Sequence, residues 1–595
     1  MSCVRPGVLL AIWALSFVLA GCGGSGGSSE TPEPTSPAPP PPPAPPPETP
    51  PPEPPPAAAD TNLSSLGLSI GELDQQFQPG VTNYTAKVRY LDNAVRIHAQ
   101  ASDPDAVVRV NGKAVTSGAT ERISLSEGQN EIDIVVENDT EEKNYSIELT
   151  RETWTTFEQS AYVKASNTGI DDVFGTQLAL SGDTLVVGAP AEDSDARGVN
   201  QDGTNNAASG SGAAYVITRD SAGAWSQQAY LKASNGDTND NFGYSVAIDG
   251  DVIAVGAPFE ASNASGINGD QADNSATSAG AVYIFVRDSN GQWTQEAYLK
   301  PSTVASGQFG KSIALNGNTL VVAAPQQPML IGTVYAFTRD ADGIWSEQAV
   351  ISASDPLGDA GFGQTLALEG DTLAVGAPWH PGISSFKGAV YVYSRQGSTW
   401  TEVVKLRGSN TEPSDEFGSS VALSDGTLAV GAPGEDSAAA GNPNDNSVTW
   451  AGAVYLFGIN SAGTWEQTAF IKASDPGAFD NFGYAIALCG DWLAVSAENE
   501  AGGSTAIGGD ESDNTKPGAG AAYLFVRDDS GNWSQELYVK ASNSDAGDRF
   551  GRSSAALSDT TLVFGAPFED SNATNVNGDS SNNTASASGA VYVFE

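Results

Sequence analysis

The sequence predicts an all-β protein built by repetition, because one hairpin recurs along the chain and helix-type patterns are missing. The hairpin at residues 241–258 begins with Phe242-Gly243, alternates along a strand, turns at residues 249–251 and returns as a strand that ends in Gly256-Ala257-Pro258. The other copies begin at Phe174, Phe309, Phe362, Phe417, Phe482 and Phe550. Internal repeats of this kind decide the architecture before other signals do. The chain also has 66 glycines, which is typical of β-structure with many turns.

The charge balance is strongly acidic and limits the class of partner. The chain has 27 Lys and Arg against 72 Asp and Glu, a formal net charge of −45. A surface of this charge repels nucleic acid and anionic lipid and favours cations or basic partners. We therefore expect no nucleic-acid partner.

Residues 1–21 are predicted to be a lipoprotein signal peptide. Arg5 supplies positive charge, and the apolar run from Val8 to Leu19 is too short for a membrane span. The ending Leu19-Ala20-Gly21-Cys22 resembles the lipobox of bacterial lipoproteins. The resemblance implies lipid attachment at Cys22 and membrane association through the acyl anchor. An ordinary signal peptide with an incidental Cys is the alternative.

The residue after the cysteine bears on localisation. Gly23 stands where an inner-membrane retention signal usually has Asp. The resemblance therefore implies a bacterial outer membrane lipoprotein, facing the periplasm or the cell surface.

Residues 22–60 form a Pro-rich linker that we expect to be a disordered stalk. Of the 34 prolines in the chain, 17 lie between residues 30 and 59. A tract of this composition cannot pack a core and adopts extended polyproline II conformations. It is interpreted as a spacer.

Residues 61–151 predict a small antiparallel β-sandwich, because short alternating runs are separated by turn residues at regular intervals. The runs are Thr85–Val88, Val95–Ile97, Val107–Val110, Ile132–Val136 and Tyr145–Leu149. The order of the segments 66–73, 77–79, 83–84, 110–112 and 128–130 resembles the cadherin-like β-sandwich domain of bacterial surface proteins. That resemblance implies a spacer or interaction module.

Residues 152–595 divide into units of four predicted strands. In the second unit, the third strand is Gly280–Phe285, and the fourth runs from Trp293 to Lys300. Both faces of the third strand are apolar, as a sheet stacked between two neighbours requires.

These units resemble the FG-GAP repeats of the integrin α-chain head. The resemblance implies a seven-bladed β-propeller over residues 152–595, preceded by the small β-sandwich and the disordered linker. Unit three has Ala323 in place of the first motif glycine, and unit six has Ser496-Ala497-Glu498. We expect the strand ends at these two places to be looser.

The two ends of the repeat array predict that the ring closes. The chain stops at residue 595 after a third strand, whereas residues 154–164 form a fourth strand with no unit before it. If this last third strand pairs with the fourth strand at residues 154–164, the exposed sheet edges disappear. The fourth-strand tryptophans would then be Trp154, Trp225, Trp293, Trp345, Trp400, Trp465 and Trp533.

Strand parity places the loops on two faces of the ring. Turns between strands one and two and between strands three and four are short, such as residues 249–251 and 288–291. The loops from strand two to strand three, and from strand four to the next unit, share the opposite side. Binding on β-scaffolds usually occupies variable loops. We name this side the long-loop face and expect a ligand there.

The loops from strand two to strand three are rich in acids and amides. The candidate ligand-face or metal-binding residues are Glu192, Asp193, Asp202, Asn206, Glu260, Asn268, Asp270, Asp273, Glu435, Asp436, Asp445, Glu498, Asp510, Asp513, Glu569, Asp570, Asn577 and Asp579. Clustered oxygen ligands suit Ca²⁺, the one candidate cofactor. Alternatively, these side chains cap irregular backbone and their charge is solvated.

The resemblance itself does not support calcium at the usual integrin position. In integrins the ion lies in a loop between the Phe-Gly strand and the Gly-Ala-Pro strand. That loop is too short here, as at residues 249–251, so no residue is carried over as a known ligand. Asp-Gly and Asn-Gly at this place are typical of tight hairpin turns.

Enzyme chemistry has little support in the sequence. His98 and His380 are the two histidines, and any carboxylate pair among so many acids is uninformative. The sequence therefore predicts a non-catalytic binding or adhesion module that recognises an extracellular or periplasmic protein or glycan through the long acidic loops. The alternatives are a polysaccharide hydrolase that uses acidic residues of the propeller, and a structural scaffold of the envelope.

Overall fold

A computed structural model describes residues 60–302, 307–326, 331–358, 360–382, 385–439 and 441–595. The predicted signal peptide, Cys22 and the linker up to residue 59 lie outside these residues. In this part of the chain the helical structure is a 3₁₀ turn at Trp154–Thr156, and no helix is long and apolar enough to cross a membrane. The all-β prediction is confirmed.

The first domain is a sandwich of two sheets with a shared aliphatic core. Its strands are β1 (Leu63–Leu68), β2 (Asn83–Val88), β3 (Ala94–Ala101), β4 (Val107–Val110), β5 (Lys113–Val115), β6 (Thr120–Ser124), β7 (Gly128–Glu137) and β8 (Glu142–Arg151). The sheet orders are β1-β3-β6 and β2-β8-β7-β4-β5. Strands β2 and β8 pair in parallel, so the prediction of a purely antiparallel sandwich was wrong at this one pair.

The strands of the second domain recur in groups of four. They are β9 (Gln159–Val163), β10 (Gln177–Ser181), β11 (Thr184–Ala189), β12 (Ala213–Arg219), β13 (Trp225–Leu231), β14 (Ser245–Asp249), β15 (Val252–Ala257), β16 (Ala281–Arg287), β17 (Trp293–Leu299), β18 (Ile313–Asn316), β19 (Thr319–Ala324), β20 (Thr333–Arg339), β21 (Trp345–Ile351), β22 (Thr365–Glu369), β23 (Thr372–Ala377), β24 (Pro381–Gly382), β25 (Ser385–Phe386), β26 (Ala389–Gln396), β27 (Thr399–Leu406), β28 (Ser420–Ser424), β29 (Thr427–Ala432), β30 (Ala453–Ile459), β31 (Trp465–Ile471), β32 (Phe482–Cys489), β33 (Trp492–Ala497), β34 (Ala521–Arg527), β35 (Trp533–Val539), β36 (Ala555–Leu557), β37 (Leu562–Ala566) and β38 (Ala590–Phe594).

Within the described ranges these strands form seven four-stranded sheets and one short two-stranded ribbon, β24-β25. The sheets, numbered one to seven, are β10-β11-β12-β13, β14-β15-β16-β17, β18-β19-β20-β21, β22-β23-β26-β27, β28-β29-β30-β31, β32-β33-β34-β35 and β36-β37-β38-β9. The first strands of successive sheets lie side by side, and β36 lies beside β10. The sheets are therefore arranged in a ring around a centre lined by their first strands, which is a β-propeller.

The ring closes as predicted, because the two ends of the array share sheet seven. Val591 pairs with Val163 and Tyr592 with Tyr162 in antiparallel register. One expectation about this strand was wrong. Trp154 lies in the 3₁₀ turn and is 45% exposed, whereas Phe157 is buried beside Phe594 at the place that Trp225 has in sheet one.

Glycines of the repeated motif form the joints between neighbouring sheets. Gly188, from the Gly-Ala-Pro motif of sheet one, faces Gly243 of the Phe-Gly motif of sheet two, and a Cβ on either would overlap backbone atoms. Gly243 also has a φ of +90°, which L side chains rarely adopt. Gly565 and Gly175 repeat this contact where sheet seven meets sheet one. The motif therefore sets how closely the sheets approach at the ring centre.

The two departures from the motif do not shorten their strands. β19 runs through Ala323, and β33 runs through Ser496, each in unbroken antiparallel register with the third strand. Gly363 and Gly551 of the neighbouring sheets face these residues, so the extra side-chain atoms meet glycine. On the other side of β33 the pairing is irregular, because the β32–β33 register shifts between Phe482 and Ile486, opposite Ser496.

The sandwich packs against sheets six and seven on the side of the short turns. Trp492, which follows the turn between β32 and β33, donates its indole N–H to the Leu91 carbonyl at 2.6 Å. The Tyr90 ring lies between Phe157 and Trp492, with centroids 5.4 and 5.7 Å away. Arg151 donates to the Tyr90 carbonyl, and its guanidinium lies 5.8 Å from the Trp492 ring centroid. The long-loop face is therefore on the opposite side from the sandwich.

Candidate functional site

The long loops are tied to the outer edges of their sheets. In sheet two, Asn268 donates its backbone N–H to the Tyr298 carbonyl, and Lys300 donates to Gly266, at 2.8 and 2.9 Å. Sheet one repeats this pattern with Asn200 and Lys232, and sheet seven with Asn577 and Lys164. Part of each loop therefore satisfies the open edge of the fourth strand, which would otherwise be free to pair with another chain.

A buried ion pair lies under each of five long loops. The Glu260 carboxylate accepts a hydrogen bond from Lys300 Nζ at 2.8 Å, and the two side chains are 1% and 0% exposed. It also accepts from the Tyr298 hydroxyl and the Asn235 amide, each at 3.0 Å. Burial lowers the pKa of Lys300, and the Glu260 charge opposes that shift. The equivalent pairs are Glu192–Lys232, Glu435–Lys472, Glu500–Lys540 and Glu569–Lys164.

Four of the predicted ligand-face glutamates are therefore buried and make their ion pairs and hydrogen bonds inside the protein. Glu192, Glu260, Glu435 and Glu569 are at most 2% exposed, and their carboxylates point at lysine and tyrosine rather than at solvent. In sheet six the paired residue is Glu500, which sequence reasoning missed. Glu498 instead takes the place of the motif proline and pairs with Arg552 at 2.5 Å and Arg549 at 3.4 Å.

A signal for these pairs was present in the sequence. The five units with a glutamate two residues after the motif proline position also end their fourth strand in lysine. Units three and four lack both residues. In unit four, His380 takes the glutamate position and contacts Lys405 and Arg407 at 2.9 Å each. Burial, followed by the Lys405 charge, lowers the pKa of His380.

A second group of predicted residues fixes the return of the loops. The side chains of Asp193, Asp436 and Asp570 accept the backbone N–H of Gly210, Trp450 and Ala587 at 2.7, 2.7 and 2.8 Å. Asn268 and Asn577 accept the backbone N–H of Tyr298 and Tyr162 through their side-chain oxygens, at 2.9 Å in both cases. These five residues hold the loops against the sheets.

The remaining predicted residues lie farther out on the loops. Asp202, Asp270, Asp510 and Asp579 are exposed, and each accepts a backbone N–H from the residue two positions later. Asp273 and Asp513 do the same while half-buried, whereas Asn206 is exposed and Asp445 half-buried. Hydrogen bonds from Thr204, Ser512 and Ser581 lower the pKa of Asp202, Asp510 and Asp579. A hydrogen bond between an aspartate side chain and the backbone N–H two residues later is the geometry of an Asx turn.

Metal binding by these loops stays a prediction. Across the described residues, no three or more His, Cys, Asp or Glu side chains are grouped so as to hold a metal ion. The structure spreads the exposed aspartates over separate loops and uses their oxygens in local turns.

Buried aspartates before the Phe-Gly motif form a further set that sequence reasoning missed. Asp240 lies two residues before Phe242 and accepts the backbone N–H of Asp237 at 2.8 Å. Burial, together with the nearby Glu260 charge, raises the pKa of Asp240 to about 7. Its equivalents are Asp172, Asp415, Asp480 and Asp548, in the same five units that have the ion pairs.

Two aromatic side chains stand out on the long-loop face. Trp450 is 37% exposed with a φ of +55°, and Phe479 is 58% exposed with a φ of +70°. Their segments are joined by backbone hydrogen bonds from Phe479 to Thr449 and from Asn481 to Trp450. At the place of Trp450, sheets one and six have Gly210 and Gly518. Sheets two and seven have Ser278 and Ala587 there, also at positive φ, so the repeat sets this backbone conformation and the unusual feature is a bulky, exposed side chain at such a position.

The centre of the ring encloses a cavity of about 700 Å³. First-strand side chains from all seven sheets line it, among them Leu178, Val246, Ile313, Leu366 and Ile486. Tyr244, Lys311, Trp379, Tyr484, Arg552 and Phe568 also line it, near the motif prolines at the long-loop end. We name this group of six residues the channel mouth.

Comparison with protein families agrees with this architecture. A family model described as FG-GAP repeat matches residues 157–217, 225–285, 345–393, 400–457, 465–525 and 533–594, together more than half of the chain. A model described as cadherin-like beta sandwich domain matches residues 63–152. No curated protein matches the chain. Both domain types are typical of binding or adhesion modules and are generally non-enzymatic. Residues 286–344, between the second and third matched segments, contain β17 of sheet two and the first three strands of sheet three.

Replacement of one partner of a buried ion pair is expected to destabilise the protein strongly. Lys300→Met leaves the Glu260 carboxylate buried without a cation, which costs about 3–5 kcal/mol. The double variant Lys300→Met/Glu260→Gln should recover part of this loss. Urea denaturation followed by tryptophan fluorescence measures both. Arg197→Met is the matched control, because its pair with Asp237 is 54% and 45% exposed and is worth less than about 1 kcal/mol. Equal losses for Lys300→Met and Arg197→Met would contradict the assignment.

Asp240 is expected to make stability depend on pH. Its pKa is raised on folding, so its stabilising contribution is complete below the unfolded pKa and is lost as pH rises through about 7. Asp240→Asn keeps an oxygen for the Asp237 N–H and cannot ionise. The free energy of unfolding of the variant, measured by urea denaturation, should therefore match that of the parent at pH 4 and exceed it at pH 8, by roughly 1.4 kcal/mol per unit of pKa shift. A constant difference between variant and parent at both pH values would disprove the effect.

Proposed function

The chain belongs to the FG-GAP repeat family, and on this premise we propose that it is a non-catalytic adhesion module that recognises an extracellular or periplasmic protein or glycan. Recognition takes place on the long-loop face. The opposite side of the propeller is partly covered by the sandwich, through contacts of Leu91 with Trp492 and of Arg122 with Asp491.

The observation that carries this proposal is the exposed pair Trp450 and Phe479. The equivalent positions of other sheets have glycine or small or polar residues, such as Ser278 and Asn239, so large aromatic side chains left exposed here are not explained by packing. Aromatic side chains with an open face stack on sugars and anchor protein interfaces.

The rigidity of the surrounding loops supports the same proposal. Asp436 fixes the Trp450 backbone N–H at 2.7 Å, and the adjacent Glu435 is held by Lys472 in the sheet core. Loops ordered before binding lose less conformational entropy when the ligand arrives. The exposed aspartates of neighbouring loops then select basic or hydroxyl-rich partners around the aromatic pair.

Variants at position 450 separate binding from folding. Trp450→Gly introduces the residue that sheets one and six have at this place, so stability should hold or rise by about 1 kcal/mol. Binding on glycan and surface-protein arrays should fall at least tenfold, as it should for Phe479→Ala. Ile459→Ala is the control, because Ile459 is 54% exposed on the same sheet at the short-turn end. Unchanged array binding by Trp450→Gly would refute the proposal.

We also propose that the module is tethered to the outer membrane of a bacterium by a lipid on Cys22, through the Pro-rich linker. The support is the sequence Leu19-Ala20-Gly21-Cys22 and the proline content of residues 30–59. Radiolabelled palmitate should enter the parent chain and fail to enter Cys22→Ala. Ser28→Ala, a change in the same segment, is the control. Label retained by Cys22→Ala would exclude this anchor.

A further inference from the structure

The outer edges of sheets one, two and seven are completed by short segments of the chain's own long loops. In sheet two, Asn268 donates its backbone N–H to the Tyr298 carbonyl at 2.8 Å, and its side-chain oxygen accepts the Tyr298 N–H at 2.9 Å. Lys300 donates its backbone N–H to the Gly266 carbonyl at 2.9 Å. Ile267, between these partners, forms an antiparallel bridge to β17. The loop segment is therefore held on the edge of sheet two in the manner of a short fifth strand.

These edge segments share a sequence pattern in which a β-branched residue precedes asparagine. They are Gly198-Val199-Asn200 in sheet one, Gly266-Ile267-Asn268 in sheet two and Asn575-Val576-Asn577 in sheet seven. Their final asparagines have φ values of +54°, +55° and +56°, a conformation that asparagine adopts more readily than most residues. In each sheet the asparagine side chain also accepts a backbone N–H of the fourth strand. The pattern therefore reports what this kind of edge accepts.

The outer edge of sheet three has no such segment among the described residues. Val350 of β21 has the register position of Tyr298, because each lies opposite the buried tyrosine of the third strand. The N–H and carbonyl of Val350 and the N–H of Ser352 therefore face outward, and within the described ranges no further segment pairs with them. The sequence accounts for this difference, since residues 325–332 replace the long loop that residues 258–280 form in sheet two.

The side chains along β21 are uncovered in the same way. Val350 is 56% exposed, whereas Tyr298 is fully buried. Ala349 is half-buried, whereas Ala297, at the equivalent place in sheet two, is 4% exposed. In sheet two, Ile267 of the edge segment packs against the core cluster that contains Ala297. An apolar side chain supplied by another protein would bury the corresponding surface of sheet three.

The outer edges of sheets four and five are less suited to pairing. Lys405 has the position of Val350 in sheet four, and its Nζ pairs with Asp355 at 2.7 Å. Phe470 has this position in sheet five, where it is half-buried with its ring centroid 5.1 Å from that of Tyr455. Lysine and proline are the residues that protect edge strands from pairing, and β21 contains neither.

We propose that the outer edge of β21 binds an extended segment of a partner protein, which adds to sheet three as a fifth strand. The partner places Val or Ile opposite Ile351 and follows it with Asn, whose backbone and side chain both hydrogen-bond to Val350. In strand addition the main-chain hydrogen bonds supply affinity and the side-chain pattern supplies selectivity. The net charge of −45 favours a neutral or basic segment over a second copy of this chain. The inference goes beyond the proposed function, because Trp450 belongs to a different sheet.

The test uses the full chain and a peptide that carries the protein's own edge pattern. The probe is a fluorescein-labelled peptide with the sequence of residues 263–269. Fluorescence anisotropy should show saturable binding. The same peptide with Asn268→Ala should bind about tenfold more weakly, because it loses the side-chain acceptor for the Val350 N–H. Absence of binding by the first peptide, or equal binding by both, overturns the proposal.

Variants of the protein locate the bound peptide. Val350→Pro removes the outward N–H on an edge where proline is tolerated, so binding should be lost. If this variant fails to fold, Val350→Lys decides, because it introduces the residue that sheet four has at this place and should also weaken binding. Val403→Ala is the matched control, since Val403 is 52% exposed on the fourth strand of sheet four, and binding should not change. Peptide binding that survives both changes at position 350 refutes the assignment to β21.

A second copy of the chain is the competing occupant of this edge. Analytical ultracentrifugation of the parent should show a monomer. A dimer that Val350→Pro abolishes would assign the edge to self-association and overturn the proposal. Trp450→Gly should bind the peptide as tightly as the parent does, so failure of the proposed function and failure of this inference are separate results.

Discussion

Backbone contact between glycines of neighbouring sheets is the constraint on which the propeller depends. Gly188 against Gly243, and Gly565 against Gly175, allow the first strand of each sheet to approach the second strand of the sheet before it. A side chain at these points would have to displace backbone, which a packed interior does not tolerate. The aromatic residue beside each motif glycine then fills the space next to the joint, as Phe242 does against Tyr283 at 5.3 Å.

The second organising feature is the way the protein distributes its charge. Lysines 164, 232, 300, 472 and 540 are placed in the interior opposite glutamates, and four arginines on the short-turn side pair with aspartates of the hairpin turns. Few cations are left to balance the exposed acids.

Much of the fold was predictable because its signals are local and repeated. The hairpins and the ring closure follow from strand alternation and from the unmatched strands at the two ends. The position of Phe157 was missed because Trp154 matched by residue type, although counting back from Lys164 and Lys232 identifies the equivalent residue. The parallel pairing of β2 with β8 has no local signal, since strand direction depends on the path of the chain.

The site was less predictable, because residue type alone does not separate buried from exposed acids. Glu260 and Asp270 look alike in the sequence, yet one lies under the loop and the other on its surface. The partner lysine, 40 positions later, was the available clue for Glu260. The raised pKa of Asp240 and the open face of Trp450 depend on three-dimensional packing, which composition and spacing do not report.

Docking of the sandwich onto sheet six has a mechanical consequence for the ring. Strand β9 closes the propeller and directly follows the sandwich in the chain, so a pull from the N-terminal side would otherwise peel it away from β38, starting at Gln159. The contacts of Leu91 with Trp492 and of Arg122 with Asp491 join the sandwich to a different sheet. Tension is thereby carried into the body of the propeller before it reaches the closing strand.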